Sequence, residues 1–115
     1  EQGDSRPFFQ IVADDVTGRV IGSTPVSGTY HSRSEFLGGA AGQLFERFAE
    51  PLVAEVTAVH EAGDTVVLQW QGTSRGVNGR PYNQDYCWVM RLADAKVVDV
   101  VAYLDTALVD DMFAD

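Results

Sequence analysis

Cysteine occurs once in these 115 residues, at Cys87, which excludes an internal disulfide and any zinc site built from several thiolates. Basic residues are scarce: eight Lys and Arg against seventeen Asp and Glu leave a formal charge of −9. The eight stand scattered along the chain, so no cationic cluster awaits phosphate, and nucleic acid is not an expected partner. Long apolar runs are missing as well. The stretches "VVLQW" and "VVDVVAYL" are far too short to span a bilayer, and no charged-then-apolar leader opens the sequence, so a membrane is not expected either. A reducing cytoplasm follows as the expected address. The acidic residues form no tract and read as a solubilising surface.

What is present describes one globular domain. Hydrophobic residues make up 45% and charged residues 22%, without repeat, linker or low-complexity segment. Asp4 reads as the N-cap of a short buried helix, with Pro7 in its first turn and Phe8, Phe9 and Val12 on its apolar side. Val16 to Ile21 reads as a short strand and "GSTPVSGT" as a loop. Ser32 and Glu35 then have the spacing of a capping box. Phe36, Leu37, Ala40, Ala41, Leu44, Phe45 and Phe48 follow helical spacing up to Pro51. Gly38, Gly39 and Gly42 inside that helix each cost about 1 kcal/mol relative to Ala, so close approach to a sheet, or room beside a ligand, is their expected gain.

After Pro51 the apolar period changes to two. "VAEVTAVHE", "TVVLQWQGTS", the stretch after Asn78-Gly79, and "VVDVVAYL" read as four antiparallel strands, and "DTALVDDMF" as a short terminal helix capped by Asp105. The class is α+β with a curved sheet. In "PYNQDYCWVMRL" one register collects Tyr82, Gln84, Tyr86, Trp88, Met90 and Leu92. The other collects Asn83, Asp85, Cys87, Val89 and Arg91. A three-residue loop at Val77 to Gly79, with Gly79 left-handed, or equally a bulge, pairs Trp70 with Tyr86; a two-residue turn would pair Trp70 with Cys87 on the opposite face.

This order of elements, with "VADDVT…IGSTPVSGTY", "AGDTVVLQWQG" and "YCWVMRLADAKVVDVVAYLDT", resembles the nuclear transport factor 2-like superfamily, in its SnoaL-like and ketosteroid-isomerase-like branch. The resemblance covers nearly the whole chain, and it implies a cone: a curved antiparallel sheet wrapped around helices, with a pocket between. It also implies a long first helix, which a chain beginning at Glu1 would either lack or have replaced by another chain or element. Residues 1–115 would then be one SnoaL-like domain, N-terminally incomplete. By the same matching Tyr82, Gln84, Tyr86, Trp88, Met90 and Leu92 face the concave side. Val66, Leu68 and Trp70 join them from the preceding strand, and Val100, Ala102 and Leu104 from the following one.

The resemblance implies chemistry less readily. Trp88 stands where steroid isomerase relatives have an Asp, and their base falls near Arg19 and Val20. Their tyrosine donor would come from the absent helix. Ala102 replaces the acid of the epoxide hydrolase and cyclase relatives, and Gly18 stands in place of a bulky aromatic, so the two together imply a larger cavity. Natural divergence or a pocket altered in the laboratory would account for both.

The expected function is binding of a hydrophobic polycyclic or terpenoid-like molecule by Trp70, Tyr86, Trp88, Met90 and Leu68, with room from Gly18 and Ala102 and orientation by Gln84 or Tyr86. Any reaction would be cofactor-free isomerisation, cyclisation or hydrolysis by proton transfer, with Asp85 or His31 as base. No cofactor or metal is expected: His31 and His60 are far apart and lack a third ligand. The alternative is a non-catalytic binding module. The expected assembly is a homodimer through Asn83, Asp85, Val89 and Arg91.

Overall fold

The computed structural model describes residues 11–114, so the helix expected at Asp4, Pro7, Phe8 and Phe9 lies outside the described residues. Val12, expected in that helix, instead opens a strand, β1 (Val12–Val20), where it is buried. A short strand β2 (Gly28–Tyr30) follows, then a helical segment α1 made of π-type turns over Ser34–Ala41 and an α-turn over Gly42–Phe45. Four long strands come next: β3 (Val53–Ala62), β4 (Thr65–Arg75), β5 (Pro81–Ala93) and β6 (Lys96–Leu104). Helix α2 (Thr106–Met112) ends the described chain.

The six strands form one curved sheet in the order β2-β1-β6-β5-β4-β3. Every neighbouring pair is antiparallel except β1 and β6, which run parallel, so the sheet is mixed rather than wholly antiparallel. Strand β5 shows why one side of this sheet is the inside. Tyr82, Gln84, Tyr86 and Met90 are buried while Asn83, Asp85 and Arg91 are exposed, the period-two alternation of a sheet with one covered face. The β4–β5 connection is the three-residue loop with Gly79 at φ 86°, and it pairs Trp70 with Tyr86.

Ser32 and Glu35 start α1 as their spacing predicts. The Glu35 N–H donates to Ser32 Oγ at 3.1 Å, and the Glu35 carboxylate accepts from the His31 N–H at 3.0 Å. The glycines then let the helix widen, and the Gly42 N–H donates five residues back to the Leu37 carbonyl. Of the three, only Gly39 closely approaches another side chain, the Tyr30 ring of β2; a methyl on Gly38 would meet open space. Phe36, Ala40 and Leu44 carry the buried side of α1.

Helix α2 is held at both ends by the sheet. Asp105 caps it, accepting from the Ala107 N–H at 3.0 Å. The Gln84 amide brackets the same residue: its oxygen accepts from the Asp105 N–H at 2.7 Å and its nitrogen donates to the Asp105 carbonyl at 2.9 Å. At the far end Asn78 Nδ2 donates to the carbonyls of Asp111 and Ala114, at 2.7 and 3.0 Å. Met112 packs onto Gly76, where any Cβ would lie 2.8 Å from its sulfur. Val109 and Met112 are thereby fully buried.

Candidate functional site: an aromatic wall on the concave face

Adjacent antiparallel strands put Leu68 opposite Trp88 and Trp70 opposite Tyr86, so these four side chains share one face. Trp70 and Tyr86 stack with ring centroids 3.9 Å apart and planes 9° from parallel. Gly72, next on that face of β4, leaves the space: a Cβ there would sit 3.1 Å from the Tyr86 ring and 3.3 Å from Trp70. Trp88 meets Trp70 edge to face at 5.7 Å, and Phe36 of α1 meets Trp88 at 5.8 Å. Tyr30 extends the series by touching Phe36 at 6.3 Å. Such pairs contribute about 0.5–1.5 kcal/mol each beyond area burial, so the wall is firmly held.

One edge of this wall is open. Strand β3 carries a bulge between Val56 and Ala58, pinned by Thr57 Oγ1 donating to the Gln69 carbonyl at 3.1 Å. The bulge brings Val56 opposite Trp70 and Val59 opposite Leu68, on the same face although three residues apart. Val56 is 57% and Val59 52% exposed. Alternation alone would have put one of them on the other side, and the sequence carries no glycine there to announce the bulge.

Behind the stack lies a polar network. Tyr82 and Tyr86 hydroxyls are 2.6 Å apart, and Gln84 Nε2 donates to Tyr82 Oη at 3.2 Å. Burial pushes the Tyr86 phenol far above its ordinary pKa, with Tyr82 adding to the rise. Burial raises Tyr82 as well, against the lowering effect of its hydrogen bonds. Trp70 Nε1 is shut off from solvent and has no hydrogen-bond partner among the described residues.

The other expected site residues are placed differently. Met90 and Ala102 are buried in the core. Gly18 is roofed by Phe36, whose ring would lie 2.4 Å from any Cβ, so it makes room for α1 rather than enlarging a cavity. Gln84 spends its amide on Asp105 and Tyr82 and is a structural clamp, not a free ligand-orienting group. Asp85 lies on the convex face, exposed, accepting from Gln71 Nε2 at 3.2 Å. It borders a shallow depression of about 170 Å³ lined in part by Thr73 and Asn83. His31 is exposed at the start of α1. Buried polar side chains among the described residues are Thr24, Ser74 and Gln84, with no carboxylate or imidazole. No three His, Cys, Asp or Glu side chains converge there as a metal site, and no described helix is long and apolar enough to cross a membrane.

A family model described as the SnoaL-like domain matches residues 1–100. No curated protein is significantly similar in sequence. Among solved structures, an NTF2-like protein from Burkholderia thailandensis E264 superposes with a TM-score of 0.82 at 23% identity, over 97% of this chain and 86% of that one. TerC, co-crystallised with polyporic acid, matches at 0.78 and 15% identity, over 95% and 85%. A protein with a ketosteroid isomerase-like fold from Catenulispora acidiphila, in complex with trimethylamine, matches at 0.67 and 17%, over 83% and 70%. At these identities the likeness is one of fold.

Proposed function

The chain belongs to the SnoaL-like domain family, and on that footing we propose that it binds a small hydrophobic ring compound on the concave face, against Trp70 and Trp88, in the cytoplasm. The observation that carries this reading is an aromatic wall beside exposed apolar residues, Val56 and Val59, on the same side of the sheet. Apolar surface of this kind, with few polar groups, is what small-molecule sites offer. Two neighbours of the same fold were crystallised with small molecules, which supports a ligand in this one.

Indane, a neutral fused-ring hydrocarbon, tests the reading. Near-UV circular dichroism of the two tryptophans should change on titration, and Trp70→Ala or Trp88→Ala should weaken binding at least tenfold. Unchanged affinity in both variants would remove the site from this face.

A second reading is cofactor-free isomerisation, cyclisation or hydrolysis. The Tyr82–Tyr86 pair favours it, because a buried phenol can donate to a developing oxyanion. A base is the missing partner, since Asp85 and His31 both stand at the surface. Turnover of a cyclic enone with a carboxylate-like or imidazole-like pH limb would establish this reading over simple binding. For assembly we propose a homodimer through the convex face around Asn83, Asp85, Val89 and Arg91, to be checked by native mass spectrometry.

A further inference from the structure

The hydrogen-bond inventory behind the aromatic wall is unbalanced in one direction. Trp70 Nε1 carries a proton with no acceptor among the described residues, although the atom is closed to solvent. The phenol pair repeats the pattern independently. Tyr82 and Tyr86 own two hydroxyl protons but share a single contact, and Tyr82 Oη already accepts from Gln84. Whichever phenol donates across the pair, the other's proton has no acceptor among the described residues. No buried side-chain oxygen among the described residues is without a partner. The Asp105 carbonyl accepts from Gln84 Nε2. Leaving a buried donor unmade is costly, and a bound acceptor would relieve that cost.

The two surpluses are neighbours, since Trp70 stacks at 3.9 Å on Tyr86, one member of the phenol pair. Among the described residues the surroundings hold no buried carboxylate to balance a cation. We infer that Trp70 is the specificity-determining residue of this site, its indole N–H receiving a neutral hydrogen-bond acceptor, such as a carbonyl or ether oxygen, on the bound ring compound. The inference rests on the ligand-binding reading above and assigns the polar half of it. A ligand that offers only donors, or an ammonium group, meets like polarity at Trp70 and is selected against.

Three probes of one skeleton test this: indane, 1-indanone and 1-aminoindane, which differ in carrying nothing, a carbonyl or an ammonium group. The whole chain is labelled with ¹⁵N, and its two indole N–H signals are assigned with Trp70→Phe and Trp88→Phe. 1-Indanone should bind about tenfold more tightly than indane, the scale of one well-made buried hydrogen bond. It should move the Trp70 indole proton downfield, while indane leaves that proton's hydrogen bonding unchanged. Trp70→Phe should reduce the ketone's advantage to near onefold. The shift in the unsubstituted protein reads the contact without relying on the variant's fold. Equal binding of indane and 1-indanone with no downfield shift would overturn the inference and leave the hydrophobic site standing. Tighter binding of 1-aminoindane than of 1-indanone would overturn it too. Failure of all three to bind would remove the site along with it.

Discussion

A methyl group built on Gly18 would lie 2.4 Å from Cδ1 of the Phe36 ring. The absent side chain of β1 is therefore the seat of α1, and Gly18→Ala should push Phe36 off the sheet. The expected cost is about 1–3 kcal/mol, the range for overpacking a well-filled core. A urea double-mutant cycle with Phe36→Leu checks the cause. If the ring is the obstacle, the double variant loses less than the sum of the singles.

The Asp94-Ala95 turn between β5 and β6 holds both residues at positive φ, 53° and 64°. This is the left-handed region a two-residue hairpin demands, and Ala there is strained by roughly 1 kcal/mol. Ala95→Gly should raise stability by about 0.5–1 kcal/mol even after the added freedom of the unfolded chain. A higher urea midpoint at unchanged m-value would show it.

Gln84→Leu keeps the approximate size of the side chain but strips both bonds from the Asp105 backbone. We expect a loss of about 1–3 kcal/mol. Amide exchange should quicken first across α2, which this side chain anchors, with little change in β3. Uniform quickening would mean that Gln84 supports the whole sheet instead.

The buried phenols impose an alkaline limit. Tyr82 and Tyr86 have native pKa values raised above the ordinary 10.0, chiefly by burial. Above pH 10 the unfolded chain releases these protons while the native chain keeps them. Their contribution is thus complete below about pH 10 and is lost as pH climbs toward the native values. The limiting slope is about 1.4 kcal/mol per pH unit for each phenol. Denaturant titrations from pH 9 to 11 should show it, and Tyr86→Phe should remove about half. Phenolate absorbance from this pair should appear only with unfolding.

Much of this architecture was legible because the strands after Pro51 keep a period of two over most of their length and carry strong turn residues. Gly79 takes the left-handed position that goes with the Trp70–Tyr86 register, but spacing left other turns open, and the family resemblance chose the inward face. Strand β2 could not be read: three residues inside a Gly- and Ser-rich loop make no period, and β1 supplies its pairing. The valine pair on β3 was hidden because a bulge at Thr57 breaks the two-residue rule without a compositional mark. Gly18 and Gln84 misled for a shared reason. Sequence shows that a side chain is small or polar, but only packing shows who takes the space or the hydrogen bonds.

The grip of Asn78 on Asp111 and Ala114 ties the hairpin tip to the last turn of the chain. During ribosomal synthesis the tip emerges more than thirty positions before its clients. Its amide waits on water until residues 111–114 arrive, where Arg80 also pairs with Asp111. Docking of the final segment is therefore a late event that reports on whether the meander before it has already formed.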